Sequence, residues 1–307
     1  MATAVKTPDV RIVIDSGAAL GPRFGLAPHP LEYRALAESR ERIRKACSES
    51  EVSIITHYHH DHYSPPFDAD YVWTWSDARV AAELYEDKVM LIKDPRENIN
   101  PSQRMRAYHF SRFLGDVSRE TKIADGNNFE FGDTKVSFSE PVPHGEEGTR
   151  LGYVIMARIN WEDQTFLFAS DVQGPMADRT RVAILRTDAK TLYLGGPPAY
   201  LAPSQVDGRL IDKGLENLRE IAGSTKLTVV DHHLMRTARW KEAISGAQEA
   251  ASRSGNVLTT AAAYSGEVET TLEATRDQLY RDLPPSREFV AWTRKKYDTR
   301  RVEPPPI

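Results

Sequence analysis

Short apolar runs and longer amphipathic stretches alternate along this chain from end to end. Runs rich in Val, Ile, Phe or Thr occupy 10–15, 52–56, 88–93, 135–139, 152–160, 164–170, 191–194, 227–231 and 256–260, and many end at Gly, Asp or Pro. Runs of that length and content predict strands. Between them, 31–46, 76–86, 102–118, 176–186, 204–221 and 236–252 predict helices. In 204–221 the residues Leu210, Ile211, Leu215, Leu218 and Ile221 make one apolar face, and the charged residues make the solvated one. Two charged helical segments follow, 272–283 and 286–297. NWEDQ (160–164) reads as a hairpin turn, and DGNN (125–128) as another turn. The pattern predicts one α/β domain over 1–307 with a mixed sheet or sheets. It places a helical insertion around 101–120 and a helical C-terminal segment around 272–297. There is no internal repeat or low-complexity linker, and only the tail VEPPPI (302–307) reads as disordered.

Composition adds limits to this picture. Of the residues, 40% are hydrophobic, enough for a large core. The balance of 40 basic against 44 acidic side chains, net −4, excludes a strong whole-chain attraction to nucleic acid but leaves a local patch open. The single cysteine, Cys47, cannot close an internal disulfide, which fits a reducing compartment and leaves metal binding to His, Asp and Glu. There is no secretory leader pattern and no apolar run long enough to span a bilayer, so a cytoplasmic protein that stays off the membrane is expected.

Histidine is scarce, with 9 in the chain, yet four stand in THYHHDHY (56–63). That tract follows directly on the apolar run VSIIT, and the loop after a strand C-terminus is where α/β folds place ligands. A surface histidine patch is the plain alternative, and the preceding apolar strand argues against it. The pattern is H-x-H-x-D-H. His57 and His59 point the same way on extended backbone and can share a metal. Asp61 and His62, past a turn, can reach a second, while His60 falls between the pairs and points elsewhere. Imidazole and carboxylate suit zinc, with iron and manganese as neighbours.

Further donors follow other strands: His144 in PVPHG, Asp171 after TFLFAS, and His232 and His233 after LTVVD. One histidine after a strand would read as structural, as His29 and His109 do. Four strands each delivering donors converge on one pocket.

The order H-x-H-x-D-H, then His, Asp and His, at separations of 82, 27 and 61 residues, resembles the metallo-β-lactamase superfamily. The stretches IDSGAALGPR (14–23), SDVQGP (170–175), LGGPPAYL (194–201) and VDHH (230–233) are similar to a mainly archaeal branch of predicted hydrolases within it. Members of that branch carry a further strand ahead of the point where this sequence begins, so the chain is expected to begin late or to lack an edge strand. The resemblance implies a four-layer αββα sandwich. It also implies two divalent metal ions: His57, His59 and His144 on one, Asp61, His62 and the last histidine on the other, and Asp171 bridging. Strand alternation argues against both His232 and His233 as ligands, and spacing to Arg236 favours His232, with His233 as the alternative.

Two such ions lower the pKa of a shared water and give a hydroxide nucleophile, with Asp61 as its proton handler. Tyr200, Tyr264 and Arg236 are candidates to reach substrate. The basic and aromatic 103–119 reads either as a lid or anion-binding surface, or as an amphipathic helix with a solvated basic face. The expected activity is hydrolysis of a small phosphodiester or ester-type substrate. A 61-residue interval after Asp171 leaves no room for the domain that larger RNA-cleaving relatives insert. A nuclease acting on RNA or DNA and a di-iron redox protein are the alternatives. A non-catalytic module is disfavoured by the full donor set.

Overall fold

The computed structural model describes residues 1–23, 25–67, 73–201 and 206–307, the side chains of Tyr297 and Arg301 excepted. Its strands are β1 (Thr3–Lys6), β2 (Arg11–Ile14), β3 (Val52–Ile55), β4 (Val89–Ile92), β5 (Glu120–Ile123), β6 (Asn128–Phe131), β7 (Thr134–Phe138), β8 (Val142–Pro143), β9 (Tyr153–Val154), β10 (Ala157–Trp161), β11 (Gln164–Ser170), β12 (Thr191–Gly195), β13 (Leu227–Asp231) and β14 (Val257–Thr260). Its helices are α1 (Pro30–Ser48), α2 (Ala78–Tyr85), α3 (Pro101–Val117), α4 (Asp178–Arg186), α5 (Gly208–Ser224), α6 (Trp240–Arg253), α7 (Ala261–Tyr264), α8 (Arg276–Asp282), α9 (Arg287–Thr293) and α10 (Tyr297–Val302). The first residues of the helix expected from Ser204 lie outside the described residues. None of the described helices is long and apolar enough to cross a membrane.

Two sheets carry the fold. The first runs β1-β2-β3-β4-β5, parallel except for β1 against β2. The second runs β14-β13-β12-β11-β10-β7-β6, parallel from β11 to β14 and antiparallel elsewhere. The period-two alternation of strand side chains sorts each strand into two faces. On the inner faces, Ile12, Ile14, Val52, Ile54 and Leu91 pack against Val136, Phe138, Ile159, Phe168 and Val229. On the outer face of the first sheet, Val13, Ile55, Met90 and Ile92 pack on Ile43, Leu84, Ala107, Phe110 and Leu114 of α1, α2 and α3. On the outer face of the second, Leu167, Leu192, Leu194 and Val230 pack on Ile184, Leu218, Ile221 and Ile244 of α4, α5 and α6. The result is the four-layer αββα sandwich. Each fully buried Ile or Leu side chain contributes about 1.5–3 kcal/mol to this packing.

Helix α3 joins the parallel neighbours β4 and β5 and buries Ala107, Phe110 and Leu114. Helix α1 starts where His29 accepts from the Leu31 N–H, with Glu32 reaching back to the His29 N–H. Such reciprocal capping satisfies donors that have no partner within the helix. The other nitrogen of His29 meets the Leu283 carbonyl at 2.8 Å, which ties the C-terminal segment to α1. Phe289 and Trp292 of α9 close over Tyr33, and the buried Arg276 makes two 2.8 Å contacts with Glu32.

Two sequence expectations change. The run 152–160 splits into β9 and β10. The tail is ordered further than its proline content suggests: α10 reaches Val302, Trp292 Nε1 donates to the Glu303 carbonyl at 2.8 Å, and Pro305 is buried. Strand β5 gave no apolar signal because all four of its residues are exposed, and β6 offers only Phe129 and Phe131, both partly buried, which is too short an alternation to stand out.

Candidate metal centre

The donors sit at the C-terminal ends of strands β2, β3, β11 and β13 and just past β8. After β2, Asp15 takes a left-handed φ of 53° and is fully buried. Its carboxylate accepts from the Thr56 N–H at 2.8 Å, the Thr56 hydroxyl at 2.6 Å and His62 Nδ1 at 2.7 Å. Two residues on, a Cβ at Gly17 would lie 2.2 Å from the Tyr63 nitrogen, so only glycine lets this loop lie against the His62 turn. After β11 the ladder shifts register between Phe168 and Ser170, and Ser170 turns to φ 56°, which delivers Asp171 to the rim.

Asp171 Oδ2 is the hub. Around it lie His62 Nε2 at 3.1 Å, His144 Nε2 at 3.2 Å, His233 Nε2 at 3.3 Å, His232 Nε2 at 3.5 Å and His57 Nε2 at 3.8 Å. His57 Nε2 also meets His59 Nδ1 at 3.1 Å, and His232 Nε2 meets Asp61 Oδ2 at 3.2 Å. The donor atoms of His57, His59, His144 and Asp171 all lie within 4.8 Å of one another. The same holds for Asp61, His62 and His232, and for Asp171, His232 and His233.

This set fits metal ions on its own chemistry. A neutral imidazole carries one N–H, so in the 3.1 Å contact between His57 Nε2 and His59 Nδ1 at least one nitrogen presents a lone pair. Among the described residues, His62 Nε2, His232 Nε2 and Asp171 Oδ1 are buried without a hydrogen-bond partner. Buried unpaired polar atoms are costly unless a cation satisfies them. A Cβ at Gly195 would lie 3.0 Å from Asp171 Oδ1, so the glycine leaves that oxygen room.

The electrostatics follow from burial and from the carboxylates. Burial holds the His57 and His59 rings well below their ordinary range. Burial opposes protonation of His62 too, but Asp171 and Asp15 outweigh it and push that ring up to about 10 in the metal-free protein. Burial would raise Asp171 and Asp61, yet His232 and His62 hold both carboxyls well below the usual range.

Groups behind the donors fix their directions. Gln173 Nε2 meets His144 Nδ1 at 3.2 Å, and Gln103 Nε2 meets His59 Nε2 at 3.2 Å. Such outer partners set which nitrogen faces a metal. Neither glutamine was legible as a site residue. Asp15 was missed too, although an Asp directly after the apolar RIVI carries the same signal as Asp171.

Other expected positions divide. His60 stands apart from the cluster, nearly buried and stacked on Tyr63 with ring centroids 5.9 Å apart. Tyr200 lies beside the centre, its hydroxyl 3.1 Å from His233 Nδ1. Arg236 Nη2 reaches Asp61 Oδ2 at 3.3 Å. Tyr264 does not join them: it ends the short helix α7, 61% exposed, while Ala261, Ala262 and Ser265 of that turn line a cavity. The alternation argument against His232 and His233 sharing the site also fails. The strand ends at Asp231, His232 turns to a left-handed φ of 63°, and both rings reach Asp171.

A cavity of about 710 Å³ opens against Asp61, His232 and Arg236 and runs between α1 and the chain around 260–273. Its wall carries Glu32, Asp231, Glu267 and Glu269 against the two guanidinium groups of Arg42 and Arg236.

Two mixed sheets back to back between helices, with a histidine–aspartate cluster along one rim of strand ends, make a fold of the metallo-β-lactamase type. No protein-family model matches the chain. The chain belongs to the UPF0282 family. It is 41% identical over 280 residues to a UPF0282 protein of Methanopyrus kandleri, covering 91% of this chain and 94% of that one. It is 38% identical over 282 residues to one of Methanocaldococcus jannaschii, covering 91% of each. Among solved structures it is similar to Tm1679, a metal-dependent hydrolase of the beta-lactamase superfamily. That match has 9% identity and a TM-score of 0.44, and covers 81% of this chain and 84% of that one.

Proposed function

We propose that this protein is a cytoplasmic dinuclear metal-dependent hydrolase of a small ester-type or phosphodiester substrate. The observation that carries the reading is the set of buried imidazole nitrogens around one carboxylate oxygen, two of which, His62 Nε2 and His232 Nε2, have no hydrogen-bond partner among the described residues. His57, His59 and His144 would hold one divalent ion, Asp61, His62 and His232 the other, and Asp171 both. Zinc suits this all-N/O donor set, with iron or manganese next. The chemistry supplied there is activation of a water nucleophile and stabilisation of charge on the scissile oxygen.

The chain's own groups do the rest. Asp61, at 26% side-chain exposure more open than Asp15 or Asp171, faces the cavity and takes the proton of the attacking water. Arg236 holds it in place through the 3.3 Å contact. The cavity is of a size that encloses a small molecule. Its excess of carboxylates disfavours a polyanion and supports a neutral ester, thioester or lactone over nucleic acid.

The test is a panel on metal-loaded protein: bis-p-nitrophenyl phosphate, p-nitrophenyl esters, a thioester, a lactone and single-stranded RNA. Turnover of a small substrate that disappears on chelation is expected. Turnover of RNA alone would move the reading to a nuclease. Iron as the bound metal with an oxygen-dependent redox signal and no hydrolysis would move it to a redox centre.

A further inference from the structure

The cavity of about 710 Å³ is continuous with the metal centre. His232, with a side chain 9% exposed and an Nε2 that has no hydrogen-bond partner, forms part of its wall. Six carboxylates line the same cavity: Glu32, Asp61, Asp231, Glu267, Glu269 and Glu273. Four of them meet guanidinium groups. Glu32 lies 2.8 Å from Arg276 Nε, Glu267 2.8 Å from Arg42 Nη1 and Asp61 3.3 Å from Arg236 Nη2. Glu273 lies 2.5 Å from Arg23 Nε and 3.2 Å from Arg236 Nε. Four arginines thus answer four carboxylates, and Asp231 and Glu269 are left over.

Among the described residues each of these two has a hydroxyl and no cation. Tyr193 donates to Asp231 Oδ2 at 2.8 Å, and Thr260 donates to Glu269 Oε1 at 3.1 Å. The two stand together at the strand ends. Strands β13 and β14 run parallel with Val230 beside Thr260, Asp231 is the next residue of β13, and Glu269 is tied to Thr260. Both are half-buried, and a carboxylate drawn out of water is costly until a cation meets it. A primary ammonium brings three N–H donors and no acceptor, which suits the second oxygen of each. Elsewhere the wall is small and apolar, with Ala18, Ala19, Ala35, Leu36, Ala261 and Ala262, so it fits a hydrocarbon spacer.

We propose that the cavity takes a substrate bearing a primary ammonium group on an aliphatic spacer, with Asp231 and Glu269 receiving the ammonium. This rests on the hydrolase reading above and narrows it. The scissile group stays an uncharged ester, thioester or lactone, and the cation stands on the part of the substrate that fills the cavity.

The test compares the metal-loaded parent with Glu269→Gln and Asp231→Asn at neutral pH, with metal per chain checked in each by native mass spectrometry. Titration calorimetry measures the binding of hexylammonium against that of hexanol. The parent should bind hexylammonium about 10–100-fold more tightly, the scale of hydrogen bonds to charged groups, and each variant should lose about 10-fold of that preference. Kinetics compare the p-nitrophenyl ester of ω-aminohexanoic acid with that of heptanoic acid, in which a methyl group stands where the ammonium was. The parent should favour the amino ester mainly through KM, and Glu269→Gln should lose most of that preference. Equal binding of the two probes by the parent, or a preference that both variants keep, overturns the proposal. If neither ester is turned over, the hydrolase reading fails on these substrates, and the calorimetry still decides whether the cavity takes an ammonium.

Discussion

Asp15→Asn tests whether the buried carboxylate behind His62 orients a metal ligand or only braces the loop. One Asp15 oxygen accepts the Thr56 N–H, and the other accepts both the Thr56 hydroxyl and His62 Nδ1. An asparagine keeps the shape but has one oxygen and one amide N–H₂. With its oxygen toward the Thr56 N–H, the amide faces His62 Nδ1–H, donor against donor. His62 then escapes only by moving its proton to Nε2, the nitrogen 3.1 Å from Asp171 Oδ2, and so loses the lone pair it offers. Losing such a partner costs about 10–100-fold in metal affinity, which is about 1.4–2.8 kcal/mol at 1.4 kcal/mol per decade. The flipped amide meets the same conflict at Thr56 and costs about 1–3 kcal/mol of folding stability instead. Competition with a chromophoric chelator should show the site of Asp61, His62 and His232 weakened by that factor, with the other site near its parent value. Thermal unfolding in chelator separates the folding cost. Unchanged affinity at both sites, with only a lower Tm, would refute the orienting role.

Other perturbations have equally definite outcomes. Asp171→Asn should lower metal content and abolish hydrolysis of the panel substrate, because the amide replaces an oxygen shared by both donor sets; full metal content by elemental analysis would contradict this. His60→Ala should leave the metal ratio unchanged and cost about 1–3 kcal/mol in urea unfolding through lost packing on Tyr63; loss of an ion would show the cluster was divided wrongly. Cys47 is fully buried, and burial pushes its thiol up to about 11 although Lys88 pulls the other way. Its alkylation at pH 8 should therefore wait on unfolding. The folded state keeps this proton above the unfolded thiol's ordinary value of 9.0, so stability should fall as pH rises from 9 towards 11. The fall is about 2–3 kcal/mol at about 1.4 kcal/mol per decade. Cys47→Ala should flatten that part of the pH profile, and an unchanged slope would place its origin elsewhere.

What the sequence makes legible follows from what burial writes into it. Strands such as β3 and β13 lie under helices on one side and a second sheet on the other, so they read as apolar runs with a donor directly after them. That is why His57, Asp171 and His232 stand out. The exposed β5 has no such pressure on its residues and leaves no trace. Of the glutamines behind His59 and His144, Gln103 comes from α3, far from any donor motif in sequence, and Gln173 stands two residues after Asp171 but serves a histidine from another strand, so no local pattern gives either its role. Glu273 is harder still, because its meaning lies in Arg236 and Arg23, which only the closure of the C-terminal segment brings to it.

The pair His232 and His233 shows where a sound rule reaches its limit. Alternation holds only while the chain stays extended, and β13 stops at Asp231. A left-handed φ at His232 then turns the chain into the short helical turn Leu234–Arg236, and both rings swing to the same side. Geometry alone cannot then separate ligand from neighbour, since both Nε2 atoms lie within 3.5 Å of Asp171 Oδ2. What differs is the other nitrogen. Arg236 Nη1 stands 3.2 Å from His233 Nδ1, so the arginine whose spacing favours His232 packs on the neighbouring ring.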